Sequence, residues 1–278
     1  MSGEIAFTNT ALESFAALVT FVLLFACIAK IKMQRGIKHV TSKNAKRNTL
    51  DYILIIWLVI HMIVLTADVL SWTAMDFGKN EVWLLFMLNL TFTCLFLECM
   101  VYTYYVKETI YQHEMIGNTY VYLVMLSTVI AIILWITSDI SGKFYYLDTQ
   151  GNYTQGSMYW LCQFYCIIVM CGNIVILLKH RKALVRHDVL SLLMYGLIPI
   201  ASIPAQMLWK STTFNLATTL ALIYICISVH MAQYDRIVEQ EKLLIQQEHE
   251  LSMNQMQMMI AQIQPHFLYN SLTALAQL

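Results

Sequence analysis

The chain has 278 residues, of which 59% are hydrophobic and only 12% are charged, and its mean hydropathy is +0.60. Soluble domains carry about 25% charged residues, so this composition excludes an ordinary soluble domain and indicates a membrane protein. The formal net charge is zero. The charge balance therefore gives no reason to expect nucleic acid as a partner.

Seven runs of mostly apolar residues are long enough to cross a membrane, because a spanning helix needs about 20 such residues. They cover residues 11–29, 50–73, 82–106, 119–137, 158–178, 189–208 and 212–231. The loops between them are short, which suits antiparallel neighbours in a helix bundle. The sequence therefore predicts an all-α membrane protein with a seven-helix domain over residues 1–231.

The basic residues of the loops predict the orientation of this bundle. The odd-numbered loops carry twelve Lys and Arg residues, and the even-numbered loops carry only Lys79, Lys143 and Lys210. Cytoplasmic loops are enriched in Lys and Arg. We therefore expect the N-terminus outside and the C-terminus in the cytoplasm.

The longest outer segment covers residues 138–157 and contains two aromatic stretches around a Gly, Asn and Asp cluster. Such a pattern predicts a small β-hairpin. The hairpin is either a lid over a ligand pocket or a structured connector.

Polar residues interrupt the predicted spans. They are His61, Asp68, Asn89, Glu98, Asn173 and Gln206. Ionisable groups in hydrocarbon are costly and point to function, so His61, Asp68 and Glu98 are candidate ligand residues. His61 and Asp68 are seven residues apart and share one face of the second span, which predicts that both face the bundle interior. The alternative is that each group makes a structural hydrogen bond between helices.

Other residues in the spans limit the function classes. A retinal protein needs a Lys in its last span, and residues 212–231 contain none. Pro199 and Pro204 interrupt the sixth span and predict a kink there, as a signalling hinge or as a packing feature. Many transporters have broken helices at matching positions in two repeats. Here prolines interrupt only the sixth span, which disfavours transport.

All seven Cys lie in apolar runs, without metal-ligand spacing, and are interpreted as packing residues.

The composition changes after Met231. Residues 232–258 contain no Gly or Pro, and Ile237, Leu244, Leu251 and Met258 recur every seven residues. This spacing predicts a coiled-coil linker helix that pairs with a partner helix. A solvated single helix is the alternative.

Residues 259–278 contain the most distinctive motif of the chain, Gln262-Ile-Gln-Pro-His-Phe-Leu-Tyr-Asn270. On a helical wheel His266 lies on the polar face beside a broad apolar face that includes Phe267. Pro265 removes a backbone hydrogen bond and is expected to bend the helix at this point. A neutral imidazole nitrogen is a competent nucleophile, and Asn270, one turn on, could orient the ring. His266 is thus a candidate phosphoacceptor.

This motif resembles the phosphoacceptor box of the LytS-like sensor histidine kinases, whose pattern is Gln-x-x-Pro-His-Phe-Leu-x-Asn. Gln262, Pro265, His266, Phe267 and Leu268 match it, as does Asn270. Thr273 departs from the pattern, because many members have Asn there. The strong match covers only about 18 residues. The apolar region resembles, more diffusely, the seven-span sensors that are attached to bacterial kinases.

The resemblance implies a two-component sensor in a bacterial plasma membrane. His266 would take a phosphoryl group from ATP, bound with Mg²⁺, and pass it to an Asp of a response regulator. The heptad residues of the linker and the apolar face around Phe267 need a partner helix, which predicts a homodimer, and residues 259–278 would begin the dimerisation and phosphoacceptor domain. The ATP-binding domain of the family follows the box, so this chain alone is expected neither to bind ATP nor to phosphorylate itself.

The signal would be an extracellular or membrane ligand that the sequence does not identify. A non-enzymatic seven-span receptor or transporter, whose cytoplasmic helix only recruits partners, is the alternative function.

Overall fold

The computed structural model describes residues 3–36, 42–77, 81–111, 117–148, 153–209 and 213–276. Within these ranges the chain forms eight helices and two short strands. They are α1 (Gly3–Gly36), α2 (Ser42–Phe77), α3 (Glu81–Tyr111), α4 (Thr119–Ile136), α5 (Ser138–Ser141), β1 (Tyr145–Leu147), β2 (Tyr153–Gln155), α6 (Tyr159–Lys179), α7 (Arg186–Trp209) and α8 (Thr213–Ala276).

The described residues include seven helical segments that are long and apolar enough to cross a membrane. They are Phe7–Lys32, Thr49–Ala74, Glu81–Tyr111, Thr119–Ser141, Tyr159–Lys179, Arg186–Gln206 and Thr213–Met231. Each agrees with a predicted span to within a few residues. Helices are favoured in lipid because every backbone N–H and C=O must find its partner within the segment. The predicted all-α, seven-helix membrane fold is confirmed.

The distribution of side chains in the bundle is that of a membrane protein. Large apolar groups such as Phe15 and Phe25 of α1 are 66% and 68% exposed, whereas Glu13 on the same helix is fully buried. Lipid chains solvate apolar groups but not charged ones, so charged residues turn inward. The protein is a multi-pass membrane protein.

Aromatic packing fills the centre of the bundle. Helix α2 packs against α1 and α3, and α3 also contacts α4 and α6. The buried Trp57 ring of α2 meets Tyr102 and Tyr105 of α3, with ring centroids 5.6 and 5.7 Å away, and Tyr195 of α7 at 4.5 Å. The Tyr102 hydroxyl also donates a hydrogen bond to the Leu192 carbonyl over 2.9 Å. These contacts tie α2, α3 and α7 together.

The segment between α5 and α6 forms the predicted β-hairpin. Strands β1 and β2 are antiparallel, and Tyr146 pairs with Thr154 in the middle of the ladder. The turn, residues 149–152, lies outside the described residues. The hairpin is anchored by the fully buried Trp135 at the end of α4, whose ring lies 4.7 Å from that of Tyr145 and stacks on Phe92 at 3.8 Å.

Two features of the helices bear on the sequence predictions. Helix α7 is continuous from Arg186 to Trp209, with Pro199 and Pro204 inside it, so the prolines do not end the helix. The Ser202 hydroxyl donates to the Pro199 carbonyl over 2.7 Å. All seven Cys are free thiols, and six are buried; Cys171 is exposed.

The chain divides into two compact units, residues 1–228 and 229–278, and α8 contributes residues to both. The first unit holds the bundle and the hairpin. The second unit is the remainder of α8. Its heptad residues Ile237, Leu244, Leu251 and Met258 are each about 60% exposed.

Candidate functional site

His61 lies near the middle of α2, and both nitrogens of its ring are hydrogen-bonded. Nδ1 is 2.8 Å from Oε1 of Glu98 on α3, and Nε2 is 2.9 Å from Oγ1 of Thr219 on α8. His61 and Glu98 are buried, with side chains only 1% and 3% exposed. One imidazole ring therefore joins three membrane helices.

Thr219 and Asn215 extend this arrangement along α8. The Thr219 hydroxyl lies 2.8 Å from the main-chain carbonyl of Asn215, one turn earlier. The Asn215 amide nitrogen donates to Oε1 of Glu13 over 2.9 Å and to Oδ2 of Asp68 over 2.8 Å. An amide nitrogen carries two protons, so it can serve both carboxyl groups at once.

Glu13 of α1 and Asp68 of α2 lie close together, because an oxygen of each accepts from the same Asn215 nitrogen. The Ser71 hydroxyl also approaches Oδ1 of Asp68 at 3.4 Å. We call the connected set the polar chain: Glu13, Asp68, Asn215, Thr219, His61 and Glu98.

The polar chain has two levels. His61 and Asp68 are seven positions apart, which corresponds to a rise of about 10 Å along a helix. The deeper level contains His61, Glu98 and Thr219, all buried. The other level lies toward the hairpin end of the bundle, where Asp68 and Asn215 are half-buried and Glu13 is buried. The outer level is thus the more accessible of the two.

A second polar cluster lies under the hairpin. The Asn89 amide of α3 donates to Oδ2 of Asp139 over 3.1 Å. The Tyr145 hydroxyl lies 2.7 Å from Oδ1 of Asn89 and also contacts Oδ1 of Asp139, so its single proton serves one of these acceptors at a time. The Ser138 hydroxyl accepts hydrogen bonds from the backbone N–H groups of Phe144 and Tyr145. This cluster fixes the hairpin on α3, and its geometry supports the connector interpretation of the segment.

Burial raises the pKa of Tyr145, and the hydrogen bond to Asp139 raises it further because it favours the neutral phenol. Burial likewise raises the pKa of Tyr153 on the partner strand, with the neighbouring Tyr159 as the next cause. Both phenols therefore stay protonated at neutral pH and act as hydrogen-bond donors.

The structure brings together the three candidate ligand residues, His61, Asp68 and Glu98. His61 contacts Glu98 directly, and Asp68 connects to both through Asn215 and Thr219. The other polar residues of the spans lie elsewhere. Asn173 is buried and donates to Thr103 and to the Val169 carbonyl, so it has a structural role, and Gln206 is half-buried on α7.

The candidate phosphoacceptor residues lie on α8. The helix runs without a break through Pro265, His266 and Asn270. The side chains of Pro265 and His266 lie outside the described residues, and those of Phe267 and Asn270 are exposed. The phosphoacceptor assignment therefore depends on the motif.

Sequence reasoning missed three members of the polar chain, Glu13, Asn215 and Thr219. Each lies inside or at the edge of an apolar run. For Glu13 the available signal was the presence of an acidic residue in the first of these runs. Thr219 has no comparable signal, because a threonine in a membrane helix usually bonds its own backbone. Contact with His61 gives it a further role.

No protein-family model matches this chain, and no curated protein sequence matches it. The function is therefore argued from the motif around His266 and from the polar chain.

Proposed function

We propose that this chain is the sensor and phosphoacceptor part of a bacterial membrane histidine kinase. His266 would accept the γ-phosphoryl group of ATP, with release of ADP, and pass it to an Asp of a response regulator. Pro265 and Asn270 would shape and orient the acceptor site. ATP and Mg²⁺ would be held by an ATP-binding domain supplied in cis or by a partner.

The observation that carries the proposal is the motif Gln262 to Asn270 on a helix that begins inside a membrane bundle. A histidine alone is weak evidence, but six spaced positions agree with the phosphoacceptor box. The same helix, α8, also carries Asn215 and Thr219 of the polar chain. Sensing and output groups would thus share one helix.

The orientation belongs to the same proposal. The bias of Lys and Arg toward the odd-numbered loops favours a cytoplasmic C-terminus, where ATP and a response regulator are available. The hairpin and the outer level of the polar chain would then lie at the outer face of the plasma membrane. An extracellular or membrane-borne signal could reach that face directly.

Homodimerisation is the third part of the proposal. Ile237, Leu244 and Leu251 recur every seven residues on α8 and are exposed. A single helix cannot bury such a stripe, and burying one of these side chains is worth about 1.5–3 kcal/mol. A second copy of this chain offers an identical stripe.

The decisive experiment tests phosphorylation of His266. The chain is fused to the ATP-binding domain of a LytS-like kinase, reconstituted in nanodiscs and incubated with labelled ATP. We expect an acid-labile, base-stable phosphate that His266→Gln abolishes and that His249→Gln, an exposed histidine on the same helix, leaves in place. Retention of label in His266→Gln would refute the acceptor assignment. No label in any variant would favour the non-enzymatic receptor or transporter.

A further inference from the structure

We propose that the polar chain is a proton-binding site, with one exchangeable proton in the His61–Glu98 pair and one in the Glu13–Asp68 pair. The ligand of this site is the hydrogen ion itself. The site's link to kinase output rests on the function proposed above, but proton binding does not.

The proton count at His61 follows from the position of Thr219. A threonine hydroxyl has one proton, and here it points to the Asn215 carbonyl at 2.8 Å, which can only accept. The same oxygen lies 2.9 Å from Nε2 of His61, so with the hydroxyl in this orientation Nε2 is the donor. The 2.8 Å contact between Nδ1 and Glu98 then contains a second proton, carried by the nitrogen or by the carboxyl oxygen. The pair is neutral overall in either case.

The second proton lies between Glu13 and Asp68. Both carboxyl groups accept from the same Asn215 amide nitrogen, so their oxygens lie close together. Two adjacent carboxylates in a bundle interior cannot both be ionised at low cost, so they share a proton, as in other carboxyl dyads. The contacts therefore fit the protonated form of both pairs.

Loss of the proton from the deeper pair requires a specific rearrangement. His61 would keep one proton on Nδ1, directed at an ionised Glu98, and Nε2 would become an acceptor. The Thr219 hydroxyl would then have to rotate away from the Asn215 carbonyl to donate to Nε2. Deprotonation of His61 thus changes a side-chain bond to the backbone of α8, on the first turns of that helix.

The titratable side chains around the two pairs carry no charge near pH 7. Near Glu98 the neighbouring titratable side chains are Tyr195 of α7 and Cys94 and Cys99 of α3. Near Asp68 the neighbours are Glu13 of α1 and Tyr159 of α6. Phenols and thiols are neutral near pH 7. The charge state of the site is therefore set by its own three carboxyl groups and His61.

The outer level offers the route for protons. Asp68 and Asn215 are half-buried, and Asn215 is on the first turn of α8. Asn215 joins the two levels through two different groups, its side-chain amide to Asp68 and its main-chain carbonyl to Thr219. A proton bound at Asp68 can thus affect the deeper pair through the position of Asn215, and in the proposed orientation it comes from outside the cell.

Two spectroscopic measurements on the whole chain in nanodiscs test proton binding without any kinase activity. Exposed carboxyl groups are ionised above about pH 6, so a protonated-carboxyl infrared band that persists above this pH reports buried carboxyl groups. We expect this band in the native chain and in Glu248→Gln, an exposed control, and its loss or shift in Asp68→Asn. An identical band in Asp68→Asn, or none at all, would overturn the assignment of the outer pair.

The deeper pair is tested by nitrogen NMR of histidine-labelled protein, with His61→Gln identifying the signal of His61. For the protonated pair we expect two protonated ring nitrogens, or a neutral ring together with an infrared acid band that Glu98→Gln removes. A neutral ring without that band would refute proton binding by this pair.

The link to output is tested separately in the kinase fusion. Thr219→Ser keeps the hydroxyl and should retain a several-fold dependence of His266 labelling on external pH, whereas Thr219→Val should abolish that dependence. If the spectra show both protons but labelling of His266 does not depend on pH, the link to kinase output is rejected and proton binding stands. Absence of all labelling would instead count against the proposed function.

Discussion

His61 of α2 and Glu98 of α3 face each other across 2.8 Å in the interior of the bundle, and both side chains are almost completely buried. Removing one partner leaves the other without its main hydrogen bond in a medium that solvates charge poorly. The pair should therefore contribute strongly to the stability of the α2–α3 interface.

A double-mutant cycle with His61→Leu and Glu98→Leu measures this contribution. We expect each single substitution to lower the free energy of unfolding by about 3 kcal/mol. The double variant should lose less than the sum, with a coupling of about 1–2 kcal/mol, at the upper end for membrane proteins. Denaturant unfolding in mixed micelles gives the values. The exposed Thr66→Val on α2 is the control, and its effect should add to that of Glu98→Leu within about 0.5 kcal/mol.

The raised pKa of Tyr145 predicts a loss of stability in alkali. An unfolded tyrosine ionises near pH 10, whereas the folded Tyr145 stays protonated to higher pH because it is buried and bonded to Asp139. Between these pKa values the unfolded state binds fewer protons, so the free energy of unfolding falls as pH rises. Thermal unfolding should show a shallower alkaline decline in Tyr145→Phe. Tyr146→Phe, at the exposed neighbouring position, should behave like the native chain.

Gly156 should be intolerant of any side chain. Its N–H donates to the Phe144 carbonyl over 2.8 Å, and an added Cβ would overlap the Lys143 carbonyl and lie 2.8 Å from Gly142 O. The backbone of β1 or β2 would have to move, so Gly156→Ala should cost about 1–3 kcal/mol. Limited proteolysis should cut residues 138–157 faster in this variant. Gly117→Ala places a Cβ with no neighbour within 4 Å, and an equal effect there would contradict the steric explanation.

The sequence predicted the seven spans because lipid imposes a simple rule of length and apolarity, which needs no knowledge of packing. It also predicted the hairpin, since aromatic residues such as Tyr145 and Tyr153 flank a turn-forming cluster. Both features depend on residues that are close together in the chain. The buried anchor of the hairpin, Trp135, was not predicted, because its stacking on Phe92 joins two different helices.

The polar chain could be predicted only in part. Helical spacing placed His61 and Asp68 on one face, but it does not say which helices that face meets. The partners of His61 and Asp68 on α8, Thr219 and Asn215, are 158 and 147 residues away. Contacts of this kind depend on the rotation and neighbours of each helix, which periodicity within one span does not determine.

The proposed orientation predicts which face of the membrane each segment reaches. Single cysteines at Gly151, in the hairpin turn outside the described residues, and at Glu248 on α8 are introduced into a Cys-free version. An impermeant thiol reagent on intact cells should label position 151 and spare position 248, because of the bias in basic residues. Labelling of position 248 alone would invert the orientation and place His266 outside the cell.

The exposed heptad stripe on α8 predicts a parallel homodimer. Leu251 is 60% exposed and lies in register with Ile237 and Leu244, so two copies would place their Leu251 side chains opposite each other. Leu251→Cys should therefore form a disulfide between subunits in membranes under mild oxidation, as detected by non-reducing electrophoresis. Gln246→Cys lies off the stripe and should cross-link much more slowly. The two rates would be equal if α8 were a solitary solvated helix, because random collisions do not distinguish one exposed position from another.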